Sequence, residues 1–402
     1  MKIAVIGAGV VGCATAYALL REGCEVHLFD KEEGPGLLTS KANGAQLSYA
    51  YVEPFATPQT LLSLPLMLLS PTSAVRWKPS LSWDAWKWQF AFLWACRPAQ
   101  VVRGTQHLLN LASESREVLS RWALEEGWQF QHRVAGKLVL CGNDRVWAVQ
   151  KKQVALQAEM GCHQQLLSPS ACVEQEPTLT HYESNFVGGI WTPDEAVADP
   201  HLLCIEMVKS IQARGGHVHW SCEVDALPAR RTNAGVTLKT SKNELFFDRV
   251  VLAAGPLGAR WSAASGFSLP VQPIKGYSMT LDLKPGQTLP KCSVTDLSLK
   301  TVFAPLDGRL RVAAMAELVG HDLSLPAKRL AQMQASVEAI FPGMCDHADP
   351  KSWAGLRPAT PDSLPIIGRS PRANVYLNVG QGGLGLTLAA GSAVRLVKAL
   401  NL

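Results

Sequence analysis

The chain has 402 residues, of which 47% are hydrophobic and 18% charged, with a formal net charge of +5. At about 150 residues per domain this length predicts two to three domains, and a charged fraction below the ~25% of an average soluble domain excludes a disordered or coiled-coil chain. No run of Lys and Arg exceeds two residues, so no nucleic-acid partner is expected. The ten cysteines are scattered without Cys-x-x-Cys or Cys/His spacing, which predicts reduced thiols, a cytoplasmic compartment and no metal site. The N-terminal apolar run is broken by Gly7, Gly9 and Gly12, so a signal peptide is not expected.

Lys2 to Ile6 is short, apolar and β-branched, which predicts a buried parallel strand. It runs into Gly7-Ala8-Gly9-Val10-Val11-Gly12, a G-x-G-x-x-G. Val11, Ala14, Thr15 and Ala18 then fall at helical spacing, predicting a helix with one sheet-facing stripe that stops at Gly23. Glu25 to Asp30 reads as a second strand ending in an acid 23 residues after Gly7. Strand, glycines, helix, second strand and terminal acid in this order are the fingerprint of a dinucleotide site. Gly7 allows the tight turn, Gly9 lets a pyrophosphate approach the backbone, and Gly12 allows close helix–strand packing. The helix N-terminus offers free N–H groups to phosphate, and Asp30 can accept hydrogen bonds from a ribose. The fingerprint does not separate NAD from FAD.

Further along, Thr39-Ser40-Lys41-Ala42-Asn43-Gly44-Ala45-Gln46-Leu47-Ser48 follows the second strand. Residues 54–75 carry no charge, and Leu61 to Leu69 is almost continuously aliphatic. Trp77, Trp83, Trp86, Trp88 and Trp94 then place five of the twelve tryptophans within 18 residues, among Arg76, Lys78, Lys87 and Arg97. A spanning helix needs about 20 apolar residues, and Pro58, Pro65 and Pro71 interrupt this run, so it does not span. Tryptophan mixed with Lys and Arg is the composition of a membrane-interface surface. The alternative is a helix pair packed in the core or against another subunit. Ser221-Cys222-Glu223-Val224 is strand-like, and Val250-Val251-Leu252-Ala253-Ala254-Gly255-Pro256 is an apolar strand ending in Ala-x-Gly. The C-terminal part holds Trp353-Ala354-Gly355-Leu356-Arg357-Pro358, then Asp362, Pro365 to Arg369, and Asn378-Val379-Gly380-Gln381-Gly382-Gly383-Leu384-Gly385-Leu386-Thr387 before an apolar small-residue helix.

In this order these stretches resemble the D-amino-acid oxidase/glycine oxidase superfamily of FAD enzymes over nearly the whole chain. With Ile274 to Ser278 and Ala314 to Gly320, the resemblance is nearest to the small subunits of bacterial D-amino-acid dehydrogenases. It implies an α/β protein with a glycine oxidase-like plan. A Rossmann-type FAD domain (residues 1–60, 193–265 and 350–402) would interleave with a mixed-sheet α+β substrate domain (61–192 and 266–349).

For the cofactor the resemblance implies Gly7, Gly9, Val10, Val11, Gly12, Asp30 and Lys31 around the fingerprint. Ser40, Asn43, Gln46 and Leu47 would follow along the pyrophosphate and flavin, and Val224 against adenine. Ala254 and Gly255 would lie at a strand end, and Gly380, Gly382, Gly383, Leu384, Gly385 and Thr387 around a helix start that can hold the flavin carbonyl region. Arg357 matches the family's carboxylate-binding arginine, whose fork fixes orientation as well as charge. Tyr51, Tyr277 and Glu317, with Tyr49 and Lys275, are candidates to surround the amine. No Ser/His/Asp or paired-carboxylate constellation is present, as hydride transfer from Cα to flavin N5 would require none.

The implied activity is oxidation of a D-amino acid, or of a proline- or hydroxyproline-like imino acid, with electrons passed to a respiratory quinone or another electron-transfer partner. Such a partner would favour a place on the inner face of the cytoplasmic membrane, through residues 61–94. An O2-using oxidase, a tRNA-modifying FAD protein and a non-catalytic subunit are the alternatives. Three positions depart from the family pattern: Gln381 where Gly-His-Gly is usual, Gly44-Ala45 where Ala-Gly is common, and Leu299 where related dehydrogenases carry a strand tyrosine.

Overall fold

The computed structural model describes residues 1–52, 54–62, 75–77, 83–227 and 235–402. The aliphatic run beyond Leu62, with Pro65, Pro71 and Lys78, lies outside the described residues. Ile3, Ala4, Val5 and Ile6 have no polar side-chain atoms; strands flank Lys2–Ile6 on both edges, and all four are buried because Ile3 and Val5 pack in the core on one face and Ala4 and Ile6 in the core on the other. The sheet they centre has six strands in the order His217–His219, Glu25–Phe29, Lys2–Ile6, Arg249–Leu252, Val375–Val379 and Ile366–Arg369. The first five run parallel and the last pairs antiparallel. Such parallel strands are covered on both faces, so they read as continuous apolar runs rather than alternating ones.

The helix Val10–Arg21 is buried nearly all round rather than along the single stripe its spacing predicts. The helices Pro200–Ala213 and Gly385–Ala399 both pack on it, so residues off the stripe are covered too. A Cβ on Gly391 would stand 2.9 Å from the Leu111 carbonyl oxygen, which shows how closely the helix Pro98–Glu126 approaches Gly385–Ala399. From that long helix Trp122 packs edge-on against Tyr17, ring centroids 5.0 Å apart, and Trp128 meets Tyr17 at 5.1 Å.

A second, larger sheet begins with Lys351–Ala359, Gln272–Asp282, Arg309–Leu318, Thr301–Leu306 and Ser293–Asp296, and continues through Lys137–Cys141, Gly188–Thr192 and Gln165–Leu167. Val75–Trp77 pairs with Arg309–Leu318 off this path. Its long antiparallel strands enclose a separate core around Met279, Phe303 and Val312.

Two stretches depart from the division expected from sequence. Pro98–Glu126, expected with the substrate region, packs in the core of the parallel sheet. Lys351–Ala359, expected with the cofactor region, pairs with Gln272–Asp282 in the large sheet. Leu299 lies in the turn after Ser293–Asp296, not in a strand. In each case tertiary packing decides what local pattern leaves open.

Trp122 is 2% exposed. Trp122→Ala is expected to lower unfolding free energy by about 3–5 kcal/mol, read from the urea midpoint at unchanged slope.

Candidate active site

Gly7 has φ +103°, and a Cβ there would stand 2.7 Å from the Ala253 carbonyl oxygen. Gly12 lies closer still, since its Cβ would fall 1.7 Å from the Gly7 oxygen. These two glycines let the helix Val10–Arg21 start directly against the sheet and aim its N-terminus into a cavity of about 1060 Å3. Gly9, Val10 and Val11 line that cavity, whereas Gly12 shapes the approach from behind. Asp30 and Lys31 also line it. The Asp30 carboxylate accepts the Ala8 N–H at 2.6 Å and the Glu32 N–H at 2.9 Å, which pins the glycine turn and leaves further lone pairs free. Its burial raises its pKa.

The wall continues through Cys222–Ala226, with Val224, and through Ala253–Leu257, with Ala254 and Gly255. The segment Thr39–Ser48 forms another side and is tied down along its length. Thr39 Oγ1 donates to the Leu356 carbonyl at 2.8 Å, Ser40 Oγ accepts from the Val10 N–H at 3.0 Å, and Arg311 Nη1 donates to the Asn43 carbonyl at 3.0 Å. Ala45 sits at φ 55°, a left-handed conformation that disfavours a side chain by about 1–2 kcal/mol. Asn43 Oδ1 accepts its N–H at 2.8 Å, which steadies the Gly44-Ala45 inversion. Gln46 Nε2 donates to Ser293 Oγ at 3.1 Å, while Leu47 is fully buried away from the cavity.

The C-terminal loop brings a second helix start to the same space. Gly382, Gly383, Leu384 and Gly385 line the cavity at the N-terminus of Gly385–Ala399. Gly380, at φ +88°, does not line it; a Cβ there would stand 2.6 Å from Thr360, so this glycine makes the turn. Thr387 supports from behind, its Oγ1 accepting the Ser48 N–H at 3.1 Å. Gln381 lines the cavity, and its Nε2 donates to Asn378 Oδ1 at 2.7 Å while Asn378 Nδ2 donates to Thr15 Oγ1 at 2.9 Å. The glutamine is thus anchored to the first helix.

Farther along the wall are Arg357, Tyr277, Tyr51, Met315 and Trp353. Arg357 leans across Gly276, where a Cβ would come within 2.5 Å of its Nη2. Its Nη1 donates to the Met315 carbonyl at 2.8 Å, and Met315 itself holds φ 67° within its strand. No carboxylate pairs with Arg357 among the described residues, and desolvation lowers its pKa. Tyr277 donates its hydroxyl to Glu317 Oε2 at 2.8 Å, and Glu317 pairs with Arg329 at 2.7 Å. Glu317 therefore stands behind Tyr277 rather than in the cavity. Tyr51 directs its hydroxyl to Gln150 at 3.1 Å. Tyr49 and Lys275 do not line the cavity; Lys275 Nζ is buried against Asp322 at 2.9 Å.

Lys137 was not anticipated from sequence. It lines the cavity, donates to Ser48 Oγ at 2.9 Å and lies 4.6 Å from the centroid of the Tyr51 ring. Glu195, also buried, accepts the backbone N–H groups of Tyr49, Ala50 and Tyr51, each at 2.9 Å. Desolvation pulls the Lys137 ammonium down to about 8, partly opposed by Glu195. A lysine opening the apolar run Lys137–Cys141 was the available signal, but strand ends carry charges too often for that to single it out.

Residues 2–399 match the family of FAD-dependent oxidoreductases designated DAO. The chain belongs to that family. It is 39% identical to D-amino acid dehydrogenase 2 of Ralstonia nicotianae, over 98% of this chain and 95% of that protein. It is also 39% identical to D-amino acid dehydrogenase 2 of Pseudomonas aeruginosa, over 100% and 95%. Among solved structures it resembles glycine oxidase from Geobacillus kaustophilus, with TM-score 0.78 and 21% identity over 100% of this chain and 95% of that one. L-proline dehydrogenase from P. horikoshii gives 0.74 and 19% over 99% and 92%.

FAD is accordingly the cofactor, and the cavity fits it. Two helix N-termini open on one space at the upper end of ligand-pocket volumes, which reach about 1,000 Å3. The glycines at both helix starts leave the backbone bare toward that space.

Because the Lys137 pKa is about 8 when folded against an ordinary 10.5, the unfolded chain holds the extra proton between these values. Stability contributed by this residue rises as pH increases from about 8 to 10.5, by about 3 kcal/mol at most, and is flat below. Urea denaturation across that window is expected to show this rise in the wild type and its loss in Lys137→Met.

Proposed function

We propose that the chain is an FAD-dependent dehydrogenase that oxidises a D-amino acid, or a related cyclic imino acid, at Cα. The carrying observation is Arg357, a half-buried guanidinium in the wall of the cofactor cavity whose pKa is lowered by partial desolvation and which has no carboxylate partner among the described residues. Such a group is costly unless an anion arrives, and a bidentate fork suits a carboxylate. Two relatives at 39% identity are named D-amino acid dehydrogenase, which supports the same reading.

The cofactor's pyrophosphate is assigned to Gly7, Gly9, Val10 and Val11, its ribose to Asp30, and its adenine side to Val224. Asn43, Gln46 and the loop Gly382–Gly385 are assigned to its ring. When bound, FAD would supply the two-electron acceptor for the Cα hydride, with a quinone or another acceptor taking the electrons in turn. Arg357 holds the carboxylate, and its hydrogen bond to the Met315 carbonyl orients the guanidinium, which helps set the direction of the Cα–H bond. Tyr277 has committed its proton to Glu317, so its oxygen serves the substrate as an acceptor for the amine N–H. Trp353 and Met315 offer apolar surface to the side chain. The resulting imine takes up water, giving the keto acid and ammonia from a primary amine. Arg357→Ala is expected to abolish saturable substrate binding and raise the Kd of a carboxylate inhibitor at least about tenfold. FAD should remain bound at one per chain; loss of FAD would contradict the assigned role.

The same reading places the enzyme on the inner face of the cytoplasmic membrane. Among the described residues no helix is long and apolar enough to cross a membrane. The helix Trp83–Ala95 buries Ala85, Trp88, Phe92 and Ala95 but leaves Trp83, Trp86, Phe90 and Trp94 exposed, an apolar second face. Arg97 caps the Trp94 ring at 3.6 Å and Lys87 lies over Trp83 at 5.8 Å. Aromatic rings beside cations suit an anionic lipid surface, where a quinone is found. The wild type is expected to float with anionic liposomes, and the triple variant Trp83→Ser, Phe90→Ser, Trp94→Ser to stay behind. A wild type that does not float would refute this placement.

A further inference from the structure

Four side chains without a part in the reaction meet on one face of the parallel sheet, away from Arg357. Glu25 and His27 stand two apart on Glu25–Phe29 and so share a face. His217 pairs in register with His27 across the parallel edge strand His217–His219, and His219 follows two residues on. The ligating atoms of Glu25, His27 and His217 all lie within 4.8 Å of one another. His27 Nε2 and Glu25 Oε1 are already 3.0 Å apart. Two ligands about 2.0 Å from a tetrahedral zinc stand about 3.3 Å apart, so small rotations of the exposed Glu25 and His217 close the set.

The second nitrogen of His27 supports the same assignment. Nδ1 lies 3.0 Å from His219 Nε2. A metal-bound imidazole donates its other N–H to such a partner, which fixes the ring and its tautomer. With Nδ1–H given to His219, the Nε2 lone pair points at the Glu25 carboxylate, an arrangement that a cation between the two completes. Without a metal, the opposite tautomer satisfies both contacts by donating Nε2–H to Glu25. Metal entry then exchanges that proton for the ion and releases it to solvent.

We propose that Glu25, His27 and His217 form a three-ligand site for a divalent transition-metal cation such as Zn2+, with His219 orienting His27 and water completing the tetrahedron. Two imidazoles and one carboxylate are borderline donors that suit zinc better than calcium or magnesium. The nearby competitor is Lys2, whose Nζ lies 3.3 Å from Glu25 and 5.4 Å from the centroid of the Phe247 ring. An exposed pair of this kind is weak and yields to a divalent ion. The site is structural in effect. Strand His217–His219 has three residues at a sheet edge, and the chain after it carries Cys222–Ala226 into the cavity wall. A cation on Glu25, His27 and His217 ties this edge to its neighbour, and through it steadies the wall.

Chelator-treated holoenzyme titrated with ZnCl2 by calorimetry tests this. The expected result is one Zn2+ per chain, a raised thermal midpoint and slower FAD loss on dilution. His217→Ala and Glu25→Gln, both at exposed positions, weaken binding by about tenfold or more and remove the midpoint shift. Lys2→Ala tightens binding by removing the competing cation. Absence of stoichiometric binding, or binding in His217→Ala and Glu25→Gln equal to wild type, would overturn the proposal, since the ion would then sit on thiols or histidines elsewhere.

Discussion

A half-buried guanidinium in the cavity wall, with no carboxylate partner among the described residues, is the constraint around which this molecule is organised. Taking an arginine out of water costs several kcal/mol unless a counter-charge is supplied. Among the described residues the local structure supplies only the Met315 carbonyl. Maintaining that arrangement requires a rigid frame: the three strands Lys351–Ala359, Gln272–Asp282 and Arg309–Leu318 lie side by side, with the guanidinium laid over Gly276. Met315 adopts a left-handed backbone within its strand to present that carbonyl. Strain of this kind persists only where its surroundings over-determine it, and it concentrates at functional sites.

The two sheets divide the labour. The parallel sheet delivers two helix N-termini to one cavity, and the glycines remove the side chains that would fill it. The large sheet delivers Arg357, Tyr277, Met315 and Trp353 to the same cavity. The segment Thr39–Ser48 joins the two, anchored to one through Ser40 and Thr387 and to the other through Thr39, Arg311 and Gln46. A buried polar network of this type raises the cost of any misfit, because each unsatisfied member loses its full hydration. It therefore fixes the two sheets in one relative placement, which oriented oxidation demands.

The dinucleotide fingerprint was legible in the sequence because its parts are local: a strand, three glycines and an acid within thirty residues. The place of Arg357 in the cavity wall was legible through a motif whose neighbours, Trp353 and Gly355, also line that cavity. What was hidden is what depends on long-range pairing. Glu317 reads like a candidate for the cavity, yet strand register puts its carboxylate behind Tyr277. Lys137 and Glu195 are separated by more than fifty residues, and the pairings of Lys137–Cys141 with Gly188–Thr192 and of Arg133–Val134 with Ala196–Val197 bring their regions together. Glu25, His27 and His217 had no motif spacing, because a parallel edge strand assembles them. Pattern along a chain reports which face a residue takes, and leaves open which other face it will meet.

The account's central claim is that Arg357 holds an amino-acid carboxylate beside FAD so that its Cα–H is oxidised. Anaerobic mixing of the holoenzyme with a panel of D-amino acids, L-amino acids and cyclic imino acids measures this directly, through bleaching of the visible absorbance of the oxidised flavin. At least one D-amino or imino acid should bleach the flavin with saturable kinetics and yield the corresponding keto acid or cyclic imine. A flavin that stays oxidised with every member of the panel, while still reducible by dithionite, would contradict it.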